Sequence, residues 1–222
     1  MIYTYVCTYN RKKISEYCLK SLWDNRQDSY ITIDDDNSDR GMIDIILKYS
    51  DKAIFNHKHL GIDELRYLQL EYFCKTANDD DLLYLTDNDC FHDIEYIDKL
   101  KYFANKYGGK AISIYNSTSL YYCHTSETEE VFFANRISGC SMLLDKELAC
   151  FILGAGFVGE DWDIRVCKIL SDNGKKCVVS KISYVEHLGK GGIHSVDFNN
   201  DRALNPTGYL REKRKEFLTF FN

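Results

Sequence analysis

Residues Leu82 to Leu85 form an apolar run without a polar interruption, and a run this short reads as a strand buried on both faces. It ends in Asp87-Asn88-Asp89, and a helical pattern begins near Ile94. Two carboxylates one residue apart at the carboxyl end of a buried strand sit where α/β proteins place their ligands. Crowding them together is costly unless a cation or hydrogen-bond donors neutralise them. Hard cations such as Mg²⁺ and Mn²⁺ prefer such oxygen ligands and bridge to phosphates. Asp87 and Asp89 are therefore candidates for a metal–phosphate site. A solvated turn that caps the next helix is the plainer alternative.

The chain around this strand alternates. Strands are expected at residues 2–8, 31–33, 52–55, 82–86 and 111–115, with helices at about 12–24, 38–49, 63–77 and 94–106. In the first helix Ile14, Tyr17, Cys18 and Leu22 fall on one stripe. Asn37 or Ser38 is expected to cap the second helix. Strict alternation implies parallel strands with helices on both faces. Right-handed crossovers then gather the strand carboxyl ends on one edge. Thr8, Asp34, Asp35 and Asp87 to Asp89 should converge there.

After residue 116 the pattern changes. Residues 117–134 are polar and aromatic, as in a hairpin or a mobile loop. A strand is expected at 138–144, a small-residue loop at 153–159, and a helix from Glu160-Asp161 to about Ser171, stopped by Asn173-Gly174. Strand-like segments follow at 178–182 and 184–185. Then come His187, a glycine-rich stretch, and a last helix from Thr207 whose Phe217, Phe220 and Phe221 should dock on the body.

With 222 residues, 45% of them hydrophobic, the chain can build a real core. A net charge of −6 argues against broad attachment to nucleic acid or anionic membrane. Arg211 to Lys215 is a basic run that reads as the solvated face of the last helix. Nine cysteines, without a CxxC pair, read as small buried residues of a reducing compartment. No apolar run approaches the length of a membrane span and no signal-peptide pattern opens the chain, so the expected location is the cytoplasm.

Four clusters now face one another: Asp34–Asp35, Asp87–Asp89, Glu160–Asp161 and His187. In this order the sequence resembles the nucleotide-sugar-dependent glycosyltransferases of the GT-A fold, most closely the family 2 type. Thr8-Tyr9-Asn10-Arg11 looks like the family's opening TYNR. Residues 33–39 are similar to its VDDGSTD, with Asp36 where glycine is usual. Asn56 to Arg66 resembles N…GxxxARN, and Asp87-Asn88-Asp89 the DxD motif. Gly159 to Asp163, with Arg165 and Gly174 following, matches GEDxDLxxR…G. Thr86 departs from the pattern, since that place is often acidic.

The resemblance implies a single α/β domain with a Rossmann-like, mostly parallel sheet flanked by helices. Residues 1–115 would form its nucleotide-sugar-binding half, 116–205 its acceptor-binding and catalytic half, and 206–222 a C-terminal helix. Thr8, Tyr9 and Asp34 or Asp35 would hold the nucleotide. Arg66 would lie near the diphosphate or brace the DxD turn. Asp87 would reach the ribose or the metal, and Asp89 and His187 would ligate Mn²⁺ or Mg²⁺. Asp161 would be the general base of an inverting transfer, with Glu160 orienting the acceptor. A UDP-sugar is the implied donor. A glycan, a lipid-linked glycan or a modified DNA base is the implied acceptor. The alternatives are a non-catalytic sugar- or nucleotide-binding module and a haloacid-dehalogenase-type phosphatase. The phosphatase family wants DxDxT near the chain start, and here Phe91 stands where Thr is needed.

Overall fold

The computed structural model describes residues 1–156, 161–189 and 202–221. Strand β1 (Ile2–Thr8) leads to helix α1 (Lys12–Asp24), β2 (Tyr30–Asp35) to α2 (Ile43–Lys48), and β3 (Lys52–Phe55) to α3 (Ile62–Thr76). Strand β4 (Leu82–Asp87) is followed by a short β5 (Cys90–His92), then α4 (Tyr96–Tyr107) and β6 (Ile112–Ser113). Next come β7 (His124–Glu127), β8 (Val131–Ala134), β9 (Ser141–Asp145), α5 (Lys146–Gly154) and α6 (Trp162–Asp172). The chain closes with β10 (Cys177–Ser180), β11 (Val185–His187) and α7 (Gly208–Phe221).

One nine-stranded sheet runs in the order β3-β2-β1-β4-β9-β6-β10-β8-β7. Its first four strands are parallel, as the alternation predicts. Strand β9 enters antiparallel between β4 and β6, and the far side is mixed. The sheet continues through both halves of the chain, so they share one domain. Side-chain alternation gives it two cores. Val6, Ile31, Ile33 and Tyr84 pack with Leu22 and Leu100 on one face. Tyr5, Leu83 and Leu85 pack with Leu70, Leu148 and Val166 on the other. Helix α1 buries Ile14, Cys18, Leu19 and Leu22, the stripe expected of a 3.6-residue period.

Several expectations are corrected. Strand β6 is paired only over Ile112–Ser113, shorter than residues 111–115. There the Ser113 hydroxyl donates to the Tyr115 carbonyl and accepts from its N–H, which turns the chain away from the ladder. Neither Asn37 nor Ser38 caps α2: the Ser38 hydroxyl accepts from the Asn10 N–H, and a 3₁₀ turn at Arg40–Met42 precedes the helix. Helix α5 has no counterpart in the expected pattern. Its signal was Asp145, whose carboxylate accepts from the Leu148 N–H at 2.8 Å as an N-cap. The expected loop at 153–159 begins as the end of that helix, and residues 157–159 lie outside the described residues. Residues 124–134 form the hairpin.

Phe217 of α7 is buried with Ile14, Cys18, Phe91, Leu188 and Leu210, while the side chains of Phe220 and Phe221 lie outside the described residues. This small cluster fastens α7 beneath the β5–β11 pair. Among the described residues no helix is long and apolar enough to cross a membrane. Phe217→Ala should cost roughly 3–5 kcal/mol of stability, the usual cost of emptying a buried aromatic site. A urea-unfolding curve checks this, and a loss below about 1 kcal/mol would mean that α7 is not held by this contact.

Candidate active site

The register of β1 against its parallel neighbours decides where each carboxylate points. Cys7 lies opposite both Asp34 and Asp87, and Thr8 lies opposite Asp35. Residues opposite one another share a face of the sheet. Asp34 and Asp87 therefore face α3, and Asp35 faces the other way with Thr8. The Asp34 carboxylate accepts from Gln69 Nε2 on α3. Asp35 accepts from the Thr8 hydroxyl and from the Ser38 N–H, both at 2.9 Å. The neighbouring Asp36 accepts from the Leu60 and Gly61 N–H groups at 2.6 and 2.9 Å and pairs with His59 Nδ1 at 2.7 Å. It thereby pins the turn that starts α3, which accounts for an aspartate where the resembling family has glycine. The His59 ring lies against Tyr9, with centroids 4.4 Å apart.

Arg66, projecting from α3, is fully buried. A buried guanidinium needs several acceptors. Nη1 donates to the Tyr5 carbonyl and to Gln69 Oε1, and Nη2 to the Thr86 carbonyl and Asp87 Oδ1, both at 2.6 Å. Of the two places expected for Arg66, the structure puts it against the DxD turn. Burial raises the Asp87 carboxyl despite the opposing charge of Arg66. The Thr86 side chain stays outside the ionic network, and its hydroxyl donates to the Cys140 carbonyl at 2.9 Å.

The Arg66 guanidinium also lies 5.2 Å from the centre of the Trp162 ring, at cation–π distance. Trp162 is buried, and its backbone N–H donates to Asp63 Oδ1 at 2.8 Å. Helix α6 is thus fixed to α3 at its first residue. Asp161 stands just before it, exposed, in the left-handed region at φ 60°, with no cap bond from its side chain. Glu160 lies outside the described residues. Asp163 accepts from the Gly139 N–H at 3.2 Å, and burial raises its carboxyl despite the nearby charge of Arg136.

Asp89 reaches His187 through the small sheet. Strand β11 pairs antiparallel with β5, His187 opposite Cys90, and the Leu188 N–H donates to the Asp89 carbonyl. His187 Nε2 ends 3.3 Å from Asp89 Oδ2. Arg11 Nη1 donates to the same oxygen at 2.7 Å. Burial would raise the Asp89 carboxyl, but His187 and Arg11 outweigh it and hold it well below the ordinary carboxylate range. Ligand atoms of Asp87, Asp89 and Cys90 lie within 4.8 Å of one another. Two carboxylates with an imidazole at hand suit Mn²⁺ or Mg²⁺, and the thiol of Cys90 is a softer neighbour. The residues present therefore fit the divalent cation that the motif implies.

Four contacts of this site are not legible in the sequence. In the sequence Arg11 is one letter of a motif, and nothing in its spacing from Asp89 foretells the ion pair. The Arg66–Trp162 contact and the Gly139 approach also came from the tertiary structure. The basic run of α7 was read as solvated, yet Arg214 pairs with the buried Glu186 beside His187 at 3.3 Å. A cavity of about 330 Å³ opens at the opposite edge, lined by Leu82, Ile112 and Asp145. Asp145 there is already engaged by the Leu148 and Gly109 N–H groups.

Two outcomes follow from this geometry. A Cβ on Gly139 would stand 2.5 Å from the Trp162 ring. Gly139→Ala should therefore displace the indole and shift the Trp162 contribution to near-ultraviolet dichroism; an unchanged spectrum would contradict that contact. Burial raises the Asp34 carboxyl to about 6, against the pull of Gln69 and Arg66. The folded state then holds this proton more tightly than the unfolded chain, so stability falls as pH rises from about 4 through 6. Asp34→Asn lacks that loss. Its urea-unfolding stability relative to the wild type should rise by on the order of 2 kcal/mol between pH 4 and 7, and a flat difference would refute the shift.

No protein-family model and no curated protein matches this chain. Solved structures do. The chain is similar to the mannosyltransferase PcManGT from Pyrobaculum calidifontis, solved in complex with GDP-Man and Mn²⁺. The TM-score is 0.62 at 14% identity, covering 87% of this chain and 58% of that one. It is similar also to S. aureus TarS 1–349 in complex with UDP-GlcNAc, with TM-score 0.61 and 14% identity, covering 86% and 61%. The chain spans about three fifths of the length of these relatives. At such identities the likeness speaks for the architecture, and the chain has the GT-A fold of nucleotide-sugar-dependent glycosyltransferases.

Proposed function

We propose that the protein is a metal-dependent glycosyltransferase that moves a sugar from a nucleotide-sugar, a UDP-sugar, to an acceptor hydroxyl with inversion. The observation that carries this reading is the linkage, through Arg66 and Trp162, of the DxD turn to the free carboxylate of Asp161. Both solved relatives were crystallised with nucleotide-sugars, one of them also with Mn²⁺, which supports a donor of this class.

Thr8, Asp35 and Tyr9 line the end of β1 and β2 where the nucleotide would lie. Asp34, turned to Gln69, would support that surface from behind. Asp89, His187 and Asp87 would hold the divalent cation, whose chemistry when bound is Lewis-acid stabilisation of the leaving diphosphate. Arg66 keeps Asp87 in place. An acceptor hydroxyl is a poor nucleophile and must give up its proton, and Asp161 would accept it at Oδ1 or Oδ2. Displacement from the side opposite the leaving group gives inversion. Glu160 would orient the acceptor. Residues 1–115 would then serve the donor, 116–205 the acceptor, and 206–222 the support of β11. The acceptor is a glycan, a lipid-linked glycan or a modified DNA base, and a cytoplasmic site of action fits the cysteine usage. The phosphatase alternative needs Asp87 as a free nucleophile, whereas Arg66 holds it at 2.6 Å.

UDP with Mn²⁺ should raise the melting temperature, and EDTA should remove the shift. GDP, CDP and TDP serve as controls, and a larger shift with GDP would reassign the donor. Asp161→Asn should keep that shift while transfer falls by roughly 10²–10⁴-fold, the usual worth of general base catalysis. Normal transfer by Asp161→Asn would remove it from the base role. Binding of UDP without turnover by the wild type on any donor would favour the non-catalytic module.

A further inference from the structure

Arg11 sits in the left-handed region at φ 60°, preceded by Asn10 at φ 53°. These residues turn the chain sharply between β1 and α1, and the guanidinium comes to lie on the Asp87–Asp89 turn. Nη1 donates to Asp89 Oδ2 at 2.7 Å and Nη2 to Asn88 Oδ1 at 2.6 Å. Asn88 is fixed in turn by its Nδ2, which donates to the Ser15 hydroxyl at 2.7 Å. His187 Nε2 stands 3.3 Å from the same Asp89 oxygen. Both prongs of the Arg11 fork are therefore satisfied, on a carboxylate whose side chain is only 5% exposed.

We propose that Arg11 is a resident counter-ion that a divalent cation must displace from Asp89 in order to bind there. The inference rests on the reading of Asp89 as a metal ligand. A guanidinium and a divalent cation repel one another at bonding distance from a shared oxygen. One must leave when the other arrives. The exchange keeps the buried carboxylate paired in both states, which avoids an uncompensated buried charge. It also weakens the apparent metal affinity by the fraction of molecules in which Asp89 is free. Arg11 is in this sense a positioning residue for the metal site.

The test is a titration with Mn²⁺ alone, read as free Mn²⁺ by electron paramagnetic resonance, on chains whose thermal melts show them folded. Arg11→Gln should bind Mn²⁺ roughly ten- to a hundredfold more tightly than the wild type, the fold-change that matches one charged hydrogen bond. Arg11→Lys keeps the charge but cannot span Asn88 and Asp89, and should fall between the two. Lys equal to wild type would mean that only long-range repulsion is at work and would overturn displacement. So would Arg11→Gln binding as weakly as the wild type or more weakly. Asp89→Ala, alone and with Arg11→Gln, should abolish the site. Undiminished binding without Asp89 would defeat the metal reading, and displacement with it. Dependence on Asp89 without any effect of Arg11 would defeat displacement alone.

Discussion

The buried guanidinium of Arg66 is the constraint on which the rest of the site depends. A charge taken out of water is costly, and an ionic partner with several hydrogen bonds offsets the cost. Both terminal nitrogens of Arg66 find partners in the carbonyls of Tyr5 and Thr86, the amide of Gln69 and the carboxylate of Asp87, with the face of Trp162 beside the guanidinium, while its Nε is buried without an acceptor. Those groups come from β1, β4, α3 and α6. None can move far without leaving a buried charge unpaired. The edge of the sheet that carries the DxD turn and the helix start that carries Asp161 are thus held in one frame.

Three consecutive aspartates do three different jobs because a strand alternates its side chains. Asp34 turns towards α3 and Gln69, and Asp35 turns to Thr8 and Ser38. Asp36, just past the strand, anchors the loop that starts α3. This arrangement spreads three negative charges over separate donors, where a shared cation would otherwise be needed. It leaves Asp35 beside Thr8 at the mouth of the site and places Asp34 in the wall behind.

His187 reaches Asp89 by a route with its own supports. The β5–β11 pair sets the register, α7 packs under it through Phe217, and Arg214 balances the buried Glu186 next in sequence. The C-terminal helix therefore acts on the site through these supports. Burial raises the Glu186 carboxyl and Arg214 opposes the rise, so the charge of α7 is matched to what lies beneath it.

The sequence alone determined the layers of the alternating half and named the candidate residues of the site. Short apolar runs such as Leu82 to Leu85 and stripes such as Ile14, Cys18 and Leu22 are local signals of burial and period, and they marked the alternating half of the chain. Parallel strands bring their carboxyl ends together, which puts Asp35, Asp87 and Asp89 near one edge. Periodicity carries no strand direction, however, so the antiparallel entry of β9 between β4 and β6 was not legible. Three-residue strands such as β5 and the α5 cap at Asp145 were too short to signal against their neighbours. The pairings Arg11–Asp89, Arg66–Trp162 and Arg214–Glu186 join residues distant in sequence. Only the tertiary structure decided them, because a buried charge takes whichever partner the packing brings within reach.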